Sequence, residues 1–235
     1  GADGVKVSTT DFYNRELIEQ AVSIFERVII SVGGIPISDV DQIVNFIEEG
    51  GSRYRNICFL YGFQAEPTPL IDSNLNKLSG YVRRYPNYQI GFMDHSDGGM
   101  EEGLLLSLVA LGYGVTVIEK HLTLDRLLKI EDYTSALTPE RFQEFVRLIR
   151  KFELALGETA LELTAIEREY RAEASKVVVS ARALKKGCNI KREDIVLKRS
   201  GKRHQGNTFY LLEDVIGQTL KTSLPKDNPI FKEAL

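Results

Sequence analysis

The chain has 235 residues, is 43% apolar, and sets 30 Lys and Arg against 33 Asp and Glu for a net charge of −3. The length exceeds one average domain and the apolar content supports a packed core, while the near-neutral balance excludes the basic field that nucleic acid binding requires. Two cysteines far apart in sequence, Cys58 and Cys188, favour reduced cytoplasmic thiols over a disulfide framework, and neither a secretory leader nor a membrane-spanning segment is expected from this sequence, nor a nucleic acid or membrane partner.

Short β-branched or apolar runs alternate with helical periodicity from residue 5 to about 156, as in parallel βα units. Strands are expected at 5–8, 28–31, 57–60, 89–92 and 115–118. Ser38 with nearby acids opens a helix whose stripe is Val40, Ile43, Val44 and Ile47. The run 102–111 is too long and evenly apolar for a strand and reads as a buried helix between two strand ends. Thr138-Pro139 opens a further helix, with threonine as cap and proline at the first position, burying Phe142, Phe145, Val146, Ile149 and Phe152. A charged helical stretch, 161–174, then acts as a linker. Beyond it Val177-Val178-Val179, the Lys185-Lys186-Gly187 turn, the run 194–197 and the turn at 225–228 indicate a small β-rich domain. The expected domains are 1–158, a linker 159–175, and 176–235. The length falls short of a complete (β/α)8 barrel of ~250 residues plus an appendage, and the first residue is glycine, so an absent N-terminal part is expected.

His95 and His121 each stand where a short apolar run ends, the place where α/β barrels keep their chemistry, and they are the candidate metal ligands. The two-residue strand period turns Glu119 and His121 to one face and Lys120 to the other. A core or rim histidine with ordinary hydrogen bonds is the bland alternative for either imidazole.

Asp94-His95, Val109-Ala110-Leu111-Gly112, Val117-Ile118-Glu119-Lys120-His121 and Leu122-Thr123-Leu124-Asp125-Arg126 together resemble the sialic acid synthase family. The likeness extends upstream to Val5-Lys6-Val7-Ser8, Ile29-Ile30-Ser31-Val32-Gly33 and Pro67-Thr68-Pro69. Downstream it takes in Leu154-Ala155-Leu156-Gly157 and, from about Lys176, a tail similar to that family's antifreeze-like (SAF) C-terminal module. The resemblance implies an α/β fold in which about the last five βα units of a TIM barrel precede a small SAF-like domain. It implies condensation of phosphoenolpyruvate with an N-acylated mannosamine-type sugar to a nine-carbon 2-keto acid, with release of phosphate. The divalent ion implied is manganese, with magnesium or cobalt as alternatives, and two cysteines exclude an all-thiolate site.

Carried onto this sequence, the family's metal histidines fall on His95 and His121. Lys6 matches a lysine that contacts phosphoenolpyruvate, Thr9 and Ser31 match nearby hydroxyl positions, Glu119 an active-site carboxylate and Asp132 a sugar-binding aspartate. Arg199 matches the arginine with which the C-terminal module reaches the sugar in the neighbouring subunit of a domain-swapped homodimer; the bland alternative is a basic edge strand. His204 matches no ligand and reads as a loop residue. Departures cluster in the pocket. Gln64 and Glu66 stand where the family has a sugar-contacting asparagine and tyrosine, Met93 replaces a serine, and Tyr133 replaces a histidine. These point either to altered sugar specificity or to weakened activity, and the joint retention of His95, Glu119, His121, Asp132 and Arg199 favours altered specificity. The rival reading is a non-catalytic sugar-binding or assembly subunit; another barrel aldolase or lyase would leave the C-terminal module unexplained.

Overall fold

The computed structural model describes residues 1–50, 56–199 and 207–235, so His204 lies outside the described residues. The chain divides into two compact units, Gly1–Glu158 and Thr159–Leu235.

In the first unit, among the described residues, five strands form one parallel sheet in chain order: β1 (Gly4–Val7), β2 (Arg27–Ser31), β3 (Ile57–Tyr61), β4 (Gln89–Asp94) and β5 (Val117–Lys120). The sheet curls as half of a barrel. Helices α1 (Arg15–Ile24), α2 (Ile37–Glu49), α3 (Asn76–Arg84) and α4 (Glu102–Leu111) lie between successive strands, and α5 (Pro139–Phe152) follows β5. Register separates the two faces. Val7, Val28, Ile30, Ile57, Phe59, Tyr61, Ile90 and Phe92 point outward into one buried cluster with Ile18, Val22, Val40, Ile43, Ile47, Leu78 and Tyr81 of the helices. Burial at ~25 cal/mol per Å2 of apolar surface drives this packing. Inside it Phe59 lies 5.1 to 5.5 Å from Tyr88 and Tyr85, and the Tyr85 hydroxyl donates to Asp41, which also receives Arg84. The alternate residues Lys6, Ile29, Ser31, Cys58, Leu60, Gly91, Met93, Val117 and Glu119 share the inner face. Burial pushes the Cys58 thiol up to about 12, which keeps it protonated and unreactive.

Two glycines set how closely the strand ends approach. A Cβ on Gly33 would lie 1.5 Å from the Gly62 carbonyl oxygen, and one on Gly62, at φ 137, would lie 2.2 Å from the Met93 carbonyl oxygen. The loop after β2 can therefore lie against the loop after β3, and that loop against β4, only with glycine at both points.

Several elements differ from the sequence expectation. β5 begins at Val117, two residues late: the turn after α4 ends at Gly114 (φ 86), the Thr116 N–H reaches the Ile90 carbonyl, and the strand then runs on so that Glu119 and Lys120 pair with β4. α2 starts at Ile37 with Pro36 at the cap, and Ser38 bonds Asp39 instead of capping. Helix α4 is less buried than its composition suggests, since Leu105 and Val109 are exposed while Gly103, Ser107, Ala110 and Leu111 face inward. Along α5 only Phe145 is buried, with Val146 and Phe152 exposed, because its apolar face borders an open groove beside β5.

In the second unit α6 (Ala165–Ala174) starts at a capping box in which Thr164 and Glu167 satisfy each other's backbone N–H. β6 (Val177–Ser180) pairs antiparallel with β7 (Ile195–Lys198). Val178, Leu184, Ile190, Ile195, Val215, Leu220 and Ile230 form this unit's own core. Buried Asp194 accepts from the Lys191 backbone N–H at 3.0 Å and pairs with Arg182 at 2.6 Å; the backbone bond first and the guanidinium second hold its carboxyl below the usual range.

Candidate active site

The carboxyl ends of β1, β4 and β5 bring the main sequence candidates together on the inner face. Met93 and Glu119 are register partners, so the residues two further on, His95 and His121, also meet. Their Nε2 atoms stand 2.9 Å apart with the rings tilted by 57°. Lys6, from β1, crosses the mouth to donate to Glu119 Oε1 at 2.6 Å and reaches Met93 Sδ at 3.5 Å. Beside the imidazole pair Asp132, at φ 60, places Oδ2 3.5 Å from His121 Nδ1, and its Oδ1 accepts from Gln64 Nε2. The same Gln64 nitrogen donates to Glu66 Oε1 at 3.1 Å.

Ser31 ends β2 on the inner face, where its buried hydroxyl has no partner among the described residues. Thr9 lies in the turn after β1, where its carbonyl accepts from the Phe12 N–H, and no described contact joins it to the cluster. Arg199 belongs to the second unit, where its Nε donates to the Ala174 carbonyl at the end of α6.

Electrostatics keep His95 ready as a ligand. Burial, helped by the neighbouring His121, pushes His95 down to about 4, so its ring is neutral near pH 7. Its Nδ1 is buried without a described partner, so no hydrogen bond there commits the tautomer against a lone pair on Nε2. Two nitrogens this close can both address one ion. No cluster of three or more His, Cys, Asp or Glu suited to a metal occurs among the described residues, so water or substrate oxygens would complete the shell. The donor set fits an intermediate divalent cation.

The depressed His95 value has a consequence for the metal-free protein. An unfolded histidine takes its proton near 6.5 and the folded ring only near 4, so stability is intact above about pH 6.5 and falls as the pH drops through that window. A loss of about 2 to 3 kcal/mol by pH 4 is expected beyond that of His95→Asn, measured as the difference between two urea-melt series.

Sequence reasoning missed Asp94, Ser96, Ser107 and Lys120, which form a buried polar network behind the histidines. The available signals were a lone serine within the apolar part of a helix and a lysine that closes a strand directly after the mouth-facing Glu119.

Residues 1–160 match the NeuB family. The chain belongs to that family. Residues 175–235 match a second family, the chaperone for flagella basal body P-ring formation, and their small antiparallel sheet fits the SAF-like domain expected from the sequence. Among curated relatives, an uncharacterized protein of Methanocaldococcus jannaschii is 30% identical over 98% of this chain and 65% of its own length. The N-acetylneuraminate-9-phosphate synthase of Mus musculus is 26% identical over 98% of this chain and 61% of its own length. The chain thus spans about three fifths of the relatives it matches. Among solved structures, the N-acetylneuraminic acid (sialic acid) synthetase of Leptospira borgpetersenii serovar Hardjo-bovis superposes with a TM-score of 0.65 at 28% identity, covering 74% of this chain and 59% of that one.

Proposed function

We propose that this NeuB-family chain forms the later barrel strands and C-terminal module of a synthase that condenses phosphoenolpyruvate with an N-acylated mannosamine-type sugar and releases phosphate. The observation that carries the reading is the juxtaposition of the His95–His121 pair, 2.9 Å apart, with the Lys6–Glu119 ion pair at one mouth. Relatives named as N-acetylneuraminate-9-phosphate, legionaminic acid and pseudaminic acid synthases support it.

In this chemistry C3 of phosphoenolpyruvate bonds to the open-chain aldehyde carbon, whose oxygen takes a proton. Water adds at C2, and phosphate leaves as the keto group forms. A divalent ion, manganese or alternatively magnesium or cobalt, held by His95 and His121 would polarise the aldehyde oxygen. Lys6 supplies the cation for phosphate or carboxylate. Its pair with Glu119 is about one-third exposed, so exchanging that partner for an anionic substrate costs only ~0 to 1 kcal/mol. Once Lys6 turns to the substrate, Glu119 is freed to accept the proton that water loses at C2. Asp132 and Glu66 present carboxylate oxygens to sugar hydroxyls, and Gln64, bonded to both, sets their spacing. Ser31 offers a hydroxyl on the same inner face, Thr9 a more distant one, and Arg199 reaches the acyl group from a partner subunit in a domain-swapped homodimer.

The test is phosphate release from phosphoenolpyruvate by the protein carrying this chain, with N-acetylmannosamine, its 6-phosphate and diacetylated analogues in turn, with and without Mn2+. Metal-dependent release with one acyl-sugar is expected, and Lys6→Met should raise KM for phosphoenolpyruvate at least tenfold. Failure with every acyl-sugar, while sugars still bind, would favour a non-catalytic sugar-binding subunit.

A further inference from the structure

Asp94 and Lys120 are register partners across the β4–β5 pairing, and each immediately precedes one of the two histidines. Both side chains point away from the mouth and are buried, at 0% and 1% exposure. Their bonding is complete. Lys120 Nζ donates to Asp94 Oδ1 at 3.0 Å and to the Ser96 carbonyl and hydroxyl at 3.1 Å. Asp94 also accepts from the Ser96 N–H at 2.9 Å, the Ser96 hydroxyl at 2.6 Å and, from α4, the Ser107 hydroxyl at 2.7 Å. His95 therefore sits between two residues, Asp94 and Ser96, that share one ammonium group rooted on the strand of His121. The His95 carbonyl is further held by the Thr68 N–H at 2.9 Å and the Ser135 hydroxyl at 2.8 Å.

We propose that the Asp94–Lys120 pair is a positioning device that locks the ends of β4 and β5 together and so holds the His95 and His121 imidazoles in contact. Stability alone does not account for it. This face of the sheet is otherwise an apolar core, and well-packed hydrophobes in place of a buried ion pair are commonly neutral or stabilising. What hydrophobes cannot supply is direction. Three bonds from the Lys120 ammonium cross to Asp94 and Ser96 and specify one relative placement of the two strand ends, while the Ser96 N–H and the Ser96 and Ser107 hydroxyls fix the carboxylate that receives it; a two-imidazole site tolerates errors of only about 0.5 Å. Only the metal arm of the test rests on the proposed function.

The test compares wild type with the double variant Asp94→Leu, Lys120→Met, after circular dichroism and melting have shown that the variant is folded. In the metal-free proteins, 15N NMR of the imidazoles reads coupling across the Nε2–H···Nε2 hydrogen bond. Electron paramagnetic resonance then reads Mn2+ affinity. The coupling is expected in wild type and lost in the variant, with Mn2+ bound 10- to 100-fold more weakly. A folded variant that keeps both the coupling and the affinity overturns the proposal, as does a wild type without the coupling. Should the double variant not fold, Ser96→Ala decides: it leaves both charges and removes one shared hydroxyl, weakened coupling is expected, and wild-type coupling overturns the proposal. A wild type that shows the coupling yet binds no Mn2+ sinks the metal assignment and leaves positioning to be judged by the imidazoles.

Discussion

Replacing His95 or His121 with alanine, in the protein that carries this chain, is expected to lower phosphate release about 10^3-fold and to abolish tight Mn2+ binding. The imidazoles approach to 2.9 Å, and either substitution leaves a single nitrogen to hold a divalent ion, with no nearby His–Cys–Asp–Glu cluster among the described residues to replace it. Loss of several kcal/mol of charge stabilisation at the aldehyde oxygen corresponds to a rate loss of that order. The two variants should behave alike in rate and affinity and differ in stability. His95 is buried whereas His121 is part-exposed, so His95→Ala opens space beneath the mouth and His121→Ala does not. Both variants should still bind phosphoenolpyruvate, because Lys6 and Glu119 are untouched. Activity within tenfold of wild type in either variant would remove the histidines from the reaction.

The parallel sheet was legible in the sequence because each strand is a short apolar run bounded by turn residues, and the apolar stripe read for α2, Val40, Ile43, Val44 and Ile47, is the face it buries. The two-residue period also put Glu119 and Lys120 on opposite faces, and in the fold Glu119 bonds Lys6 in the mouth while Lys120 is enclosed behind it. Three things were not legible. A lysine in a strand reads as a solvated charge, and only the pairing register shows that Lys120 faces Asp94. Gln64 and Asp132 are 68 residues apart on separate loops, so no local pattern announces their bond. The apolar faces of α4 and α5 read as buried because periodicity reports which residues are apolar, not what covers them; Leu105, Val109, Val146 and Phe152 are exposed.

Asp94→Ala is expected to be the most destabilising single change behind the site, costing about 3 to 5 kcal/mol, because it leaves the Lys120 ammonium buried without a counter-charge. Melting should fall by roughly 10 °C, taking ~2 to 4 °C per kcal/mol for a unit of this size. The loss should depend on pH in a stated direction. Burial already holds Lys120 below its usual value, with Asp94 opposing that shift, so removing the carboxylate lowers it further. A lysine whose folded value lies below its unfolded value makes the folded state reluctant to bind the proton. Stability therefore rises with pH until the unfolded lysine, near 10.4, has lost its proton too. The deficit of Asp94→Ala relative to wild type should accordingly shrink between pH 7 and pH 9.5, and Asp94→Leu combined with Lys120→Met should recover most of it at pH 7. Urea melts of the three proteins at both pH values make the comparison. A deficit below 1 kcal/mol, or one that is unchanged at pH 9.5, would mean that Lys120 carries no buried charge for Asp94 to balance.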